Sequence, residues 1–252
     1  MERLANAEGV LVPEEATGYR ALSARGNYLS QDRADMSYST KELCRDFAQP
    51  NHKSYNKLKR VGRFLVGRPR LLYDYKFSKT GIPDVIEVYS DTDFAGCKES
   101  RRSTSGGAMT IGGHCIKHWS KTQTTVSLSS GEAELHGIGS AISQGLGLQA
   151  ICRDLGFNYE VRVHSDATAA IGIARRRGLG KVRHLDCADL WVQEKVRSKA
   201  VQLAKILGAE NPADAFTKYL DRPLLEKAMA SLNLRYATGR AKSAPDTMGL
   251  DQ

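Results

Sequence analysis

The chain has 252 residues, 41% hydrophobic and 26% charged, which is enough apolar material for one large domain, alone or with a smaller neighbour. No apolar run approaches the roughly 18 residues of a membrane-spanning helix. The N-terminus (MERLANAEGV) lacks the apolar stretch of a secretory signal, and the five scattered cysteines (Cys44, Cys97, Cys115, Cys152, Cys187) never form CxxC, which excludes a disulfide framework or a zinc site. An intracellular setting, cytoplasm or nucleus, is expected, and the net charge of +9 points to a polyanionic partner.

In chain order, residues 37–48 read as a helix that Pro50 terminates. A second helix fits 51–66, with Tyr55, Leu58, Val61 and Leu65 on one face. Its other face is basic (Lys53, Lys57, Lys59, Arg60, Arg63), with Arg68 and Arg70 just beyond, so a phosphate backbone would relieve the repulsion; a solvated helix face is the plainer explanation. Residues 76–84 carry Gly81 and Pro83 and read as a linker or strand-entry turn. Residues 85–91 (VIEVYSD) suit a central strand, and 104–111 and 114–120 flank Gly112-Gly113 as a hairpin. A long helix is expected from about Ser129 to Leu155, capped by Ser129 or Ser130, with a stripe of Leu135, Ile138, Ile142 and Leu146. Gly137, Gly139, Gly145 and Gly147 weaken it. A strand over 161–166, helices over 168–177 and 185–198, a strand over 201–207 and helical segments over 211–219 and 223–232 follow. The stretch 237–252 has no apolar periodicity and reads as a disordered tail. A meander of three strands followed by βα units implies a mixed sheet with helices on its faces.

Two strands end identically, in Ser90-Asp91 and Ser165-Asp166, and ligands of open α/β sheets gather at such strand ends. With Asp93, Glu132, Glu134 and Asp214 these form a set of acids at element ends, although caps and solvated loops explain such acids equally well. If the two Ser-Asp strands are neighbours, their carboxylates ionise together only beside a cation. Oxygen ligands without thiolates or imidazoles select Mg²⁺ or Mn²⁺, and several carboxylates can hold two such ions for in-line displacement at phosphorus.

The run YSDTDFAGCKESRRSTSGG (89–107) resembles the opening of the ribonuclease H domain of copia-type LTR retrotransposon Pol polyproteins. KHWSKTQTTVSLSSGEAEL (117–135), HSDATAAIGIA (164–174), RHLD (183–186) and NPADAFTK (211–218) are similar to that family's later blocks, in the same order. YRALSARGNYLSQDRADMSYSTKELCRDF and KLKRVGRFLVG resemble the end of its reverse transcriptase. The resemblance implies a ribonuclease H-like α/β fold: a mixed five-stranded sheet, three antiparallel strands then parallel ones, flanked by helices and preceded by a small helical segment. It divides the chain into a helical remnant of the reverse transcriptase thumb or connection (1–80), a ribonuclease H domain (83–232) and the tail (237–252).

It also implies four catalytic, metal-binding carboxylates, Asp91, a helix acid, Asp166 and Asp214, holding two Mg²⁺ (or Mn²⁺) ions, with Asp93 a nearby spare. Glu132 and Glu134 lie about 200° apart on a helix, so only one can face the site. Glu134, nearer the Leu135–Ile138–Ile142 stripe and in an Ala-Glu-Leu context like the family's, is the expected ligand. Arg101, Arg102, Ser103 and Thr104, and the cluster Arg175, Arg176, Arg177, Lys181 and Arg183 with His184, are candidates for gripping nucleic acid, beside the plainer view of a charged loop. Trp119 and His164 read as packing residues. The loop LGAEN (207–211) lacks the His that many ribonuclease H enzymes carry there, and no YxDD polymerase pair is present. The expected activity is an endoribonuclease cleaving the RNA strand of RNA–DNA hybrids, partnered with the rest of the Pol polyprotein and its reverse transcriptase, and with no membrane. The alternatives are a non-catalytic nucleic-acid-binding remnant of a retroelement and a transposase-type nuclease.

Overall fold

The computed structural model describes residues 9–77, 81, 83–178 and 187–239. Three helices come first: α1 (Pro13–Leu29), α2 (Ser37–Arg45) and α3 (His52–Gly67). Asn51 caps α3 by a reciprocal exchange with Ser54, satisfying two otherwise orphaned groups at the helix start. These helices share a small core of Leu11, Ala16, Tyr19 and Leu43, against which Tyr55, Leu58 and Val61 of the expected apolar face pack.

The strands follow: β1 (Arg70–Tyr73), β2 (Val85–Asp93), β3 (Thr104–Ile111) and β4 (His114–Thr122), then α4 (Ser130–Asp154), β5 (Glu160–Ser165), α5 (Thr168–Arg175), α6 (Cys187–Arg197), β6 (Gln202–Lys205), α7 (Arg222–Ser231) and β7 (Leu234–Ala237). Five strands form one sheet in the order β4-β3-β2-β5-β6. β3 runs antiparallel to both β2 and β4, while β5 runs parallel to both β2 and β6. This is the mixed sheet of the ribonuclease H-like fold. Gly112 and Gly113, with φ of 58° and 79°, make the tight turn between β3 and β4.

Alternation along the strands gives the sheet two cores. On one face Ile86, Val88, Met109, Val161 and Val163 meet Leu135, Ile138 and Ile142 of α4, with α5 and α6 alongside. On the other, Ala108 and Cys115 meet Phe216, Met229, Leu232 and Leu234, and the cluster extends to Ala34 and Leu71 near the chain start. The glycines expected to weaken α4 do not interrupt its 25 residues. A Cβ at Gly145 would lie 2.7 Å from Val161 Cγ1 and 3.1 Å from Val88 Cγ2, so glycine there lets the helix lie close on the sheet.

Three features depart from the expectations. Residues 211–219 form a short 3₁₀ turn, Pro212–Phe216, not a longer helix, because Asn211 caps it and the segment is held against the sheet. Ala237, where the tail was expected to begin, closes β7, which pairs antiparallel with β1; residues 240–252 lie outside the described residues. The long helix α1 is a further element without an obvious apolar stripe. The early helices touch the sheet directly: Ser37 Oγ lies 2.7 Å from His118 Nδ1, and Lys41 Nζ donates to Thr104 Oγ1 at 2.9 Å. Among the described residues, no helix is long and apolar enough to cross a membrane.

Candidate metal centre

β2 and β5 are parallel neighbours, with Tyr89 opposite His164. Continuing that register two residues further sets Asp91 beside Asp166, as the paired Ser-Asp endings suggested. Ligand oxygens of Asp91, Glu134 and Asp166 all lie within 4.8 Å of one another. The two acids at the start of α4 divide their work. Glu132 accepts the Leu128 backbone N–H at 2.8 Å, and its own N–H donates to the Ser129 cap, so it serves the helix end. Glu134 faces the sheet and the other two acids. One turn on, a Cβ at Gly137 would lie 2.4 Å from Thr92 Oγ1, a close approach that glycine alone permits and that keeps Glu134 within reach of β2.

Asp214 is not one of these three, but its turn is tied to the same strand end by the residues around it. Asn211 donates to the Ser90 carbonyl at 2.9 Å and accepts the Ala213 N–H, so the Pro-Ala-Asp turn is tied to the end of β2. Thr217, fully buried, donates its hydroxyl to Asp91 Oδ2. Lys218 pairs with Asp214 at 2.8 Å. Neither Asn211, Thr217 nor Lys218 had been singled out from the sequence, although all three sit in the NPADAFTK block; a Lys four residues after an Asp on a helical turn is a legible pairing signal.

The electrostatics show what this gathering costs. Glu134 is pushed up from 4.5 to about 8 by burial and by the fields of Asp91 and Asp166. Asp91 is also raised, by burial first, with the Thr217 hydroxyl opposing and Asp214 adding to the shift. Lys218 is raised although burial opposes it, because Asp214, Asp91 and Asp166 all favour its charge. Glu134 Oε2 is buried with no hydrogen-bond partner. An all-carboxylate set with an unsatisfied buried oxygen and mutual repulsion suits a hard divalent cation. Asp93, the spare, lies outside this group, and its carboxylate is folded against Gly96.

The candidate nucleic-acid residues are scattered. Arg101 and Arg102 are exposed on the loop after β2, Arg101 with φ of 56°. Ser103 and Thr104 are buried, and their hydroxyls accept from the Ala95 N–H and from Lys41, so neither faces solvent. Arg175 donates to the Leu203 carbonyl at 2.7 Å from an exposed position, and Arg176 is half-buried. Lys181, Arg183 and His184 lie outside the described residues. His164 donates its Nε2–H to Glu87 at 2.6 Å and stacks on Tyr89. Trp119 packs partly buried against the first core.

No family model matches the chain. It is 30% identical over 221 residues to the retrovirus-related Pol polyprotein from transposon RE2 of Arabidopsis thaliana, covering 85% of this chain and 15% of that protein. It is 27% identical over 196 residues to the equivalent polyprotein from transposon TNT 1-94 of Nicotiana tabacum, covering 77% of this chain and 14% of that one. The chain is a relative of retrotransposon Pol polyproteins. It spans about a seventh of those relatives' own length. Among solved structures, LC11-RNase H1 in complex with an RNA/DNA hybrid matches 52% of this chain and 93% of its own, at 16% identity and a TM-score of 0.37. The strand order and directions, not this overlap, define the fold of this Pol relative.

Proposed function

We propose that this Pol relative is the C-terminal part of such a polyprotein, its early helices the end of a reverse transcriptase, and that it hydrolyses the RNA strand of RNA–DNA hybrids at the cluster Asp91, Glu134, Asp166 and Asp214. The convergence of three carboxylates within 4.8 Å at the strand ends carries this assignment. The four acids would hold two Mg²⁺ (or Mn²⁺) ions, which when bound supply activation of the attacking water and stabilisation of the leaving oxygen. The protein's own residues set the stage. Thr217 fixes the Asp91 carboxylate through its hydroxyl, Asn211 anchors the Asp214 turn to β2, and Gly137 lets α4 bring Glu134 alongside. Lys218 balances Asp214 and places a cation at the rim, where a substrate phosphate would arrive. Discrimination of a hybrid would rest on A-like geometry and 2′-hydroxyl contacts, without base reading.

The test is cleavage of an end-labelled RNA–DNA hybrid with and without Mg²⁺, by the wild type and by Asp166→Asn. The wild type should cut only the RNA strand and only with the metal; the variant should bind the hybrid and leave it intact. Mg²⁺-dependent cutting retained by Asp166→Asn would overturn the assignment, and preferential cutting of duplex DNA would point to a transposase-type nuclease instead.

A further inference from the structure

A groove of about 380 Å³ runs between α3 and the segment after Asp214, lined among others by Tyr38, Lys57, Arg60, Phe64, Lys218 and Tyr219. It adjoins the Asp214 turn, because Lys218 forms its wall and pairs with Asp214. Its cations outnumber its single acid, Asp35, whose carboxylate is held by Arg33 at 2.8 Å in a buried pair. Lys57 is partnered by Asp46 at 3.0 Å, whereas Arg60 is exposed and carries no ion pair among the described residues. The aromatic wall is held in place: Tyr219, 63% exposed, meets Tyr38 edge to face at 4.8 Å between ring centres. A cationic rim over a fixed aromatic surface is the chemistry that takes a sugar-phosphate with its base. The volume suits a nucleotide or so and is too small for a duplex. That size and chemistry fit a single strand leading away from the Asp214 turn.

We infer that this groove is a subsite for a single-stranded nucleic acid extension continuing from the bound hybrid, with Arg60 meeting phosphate and Tyr219 stacking on a base. The inference rests on the hybrid-cleaving function proposed above and names a part of the substrate that function leaves undefined. A strand so held would favour hybrids with an unpaired end over blunt ones.

The experiment uses the full chain with Ca²⁺ in place of Mg²⁺, measuring the affinity of a fluorescent blunt hybrid and of hybrids carrying a short unpaired extension at either end of either strand. For the wild type, one extension should tighten binding about 5- to 10-fold, the range of stacking plus one phosphate contact. Arg60→Glu and Tyr219→Ala should bring the ratio of extended to blunt affinity near one. Arg63→Glu, exposed on the same helix outside the groove, should keep the wild-type ratio, and Tyr219→Phe should retain the stacking part. Thermal melts confirm folding of each variant. No gain from any extension, or equal loss of the gain in Arg63→Glu, would overturn the subsite; the former would leave the groove to a protein partner. Cleavage of the blunt hybrid in Mg²⁺ is read separately. A wild type that cuts blunt hybrid but ignores extensions loses only the subsite, while one that binds extensions through Arg60 and Tyr219 without cutting loses only the nuclease assignment.

Discussion

Replacing Glu134 by Gln should stabilise the metal-free protein while removing its response to metal. In the folded chain the Glu134 carboxyl is raised from 4.5 to about 8 by burial and by Asp91 and Asp166. Because the folded pKa lies above the unfolded one, the folded state holds its proton longer. Stability is then fullest below about pH 4.5 and falls as pH rises toward about 8, where the folded group is forced to ionise. Taken at face value the shift corresponds to about 5 kcal/mol, and partial solvent contact reduces this to about 2–3 kcal/mol. Gln keeps the shape and removes the charge, but leaves a buried amide to find partners at a cost of about 1 kcal/mol. The net gain near pH 8 is about 1–2 kcal/mol, or about 2–8 °C in Tm for a chain of this size. Melts followed by circular dichroism in EDTA, at about pH 5, 6.5 and 8, should show the wild type losing Tm more steeply than Glu134→Gln, with the two converging at the acid end. Adding about 10 mM Mg²⁺ at the highest pH should raise the wild type and leave the variant nearly unmoved, since only a state that binds the ion gains from it. A variant less stable than the wild type in EDTA at about pH 8, or equal slopes for both, would refute the electrostatic account of the cluster.

Thr217→Val removes the hydroxyl that fixes Asp91 Oδ2 while preserving side-chain volume in a fully buried position. It should raise the Asp91 pKa further and weaken Mg²⁺ binding about 10-fold, as loss of a supporting partner of a metal ligand does, with a change in Tm of only a few degrees. Isothermal titration with Mg²⁺ reads this, and unchanged affinity would reduce the contact to packing. Gly137→Ala places a methyl where Thr92 Oγ1 stands 2.4 Å away. It should cost about 1–3 kcal/mol by urea unfolding despite alanine's better helix propensity, whereas Gly147→Ala, with open space around it, should be neutral or stabilising. A stabilised Gly137→Ala would show that α4 does not press on β2 as described.

Local pattern carried most of the sheet. VIEVYSD, the Gly112-Gly113 hairpin and the two Ser-Asp endings mark strands and their order because period-2 alternation and turn glycines act over a few residues. The choice of Glu134 over Glu132 was also legible, since helical phase separates them by about 200°. The four-residue strands RLLY and LRYA were not, being too short to show a period and paired across most of the chain, Arg70 with Ala237. Helix α1 escaped because its buried positions are Ala16, Tyr19 and Ser23, spaced correctly but carrying no apolar stripe. The supports of the site were hidden for a different reason. Asn211 reaches Ser90 and Thr217 reaches Asp91 across 121 and 126 residues, and nothing local to NPADAFTK says which strand it will meet.

The glycines of α4 connect these two scales. Each weakens the isolated helix by about 1 kcal/mol relative to alanine, which from the sequence alone counts against a long helix. On the folded protein Gly137 and Gly145 lie eight residues apart, each on the side that meets β2, and their missing methyls let the helix lie against Thr92, Val88 and Val161. The larger core area at Leu135, Ile138 and Ile142 offsets the lost propensity, all three side chains being fully buried. A helix held further off would still cover the core with longer side chains, but it would carry Glu134 away from Asp91 and Asp166. What looks like a defect in helix composition is thus a condition for gathering the carboxylates, and the repulsion that raises Glu134 and Asp91 is the cost of that gathering.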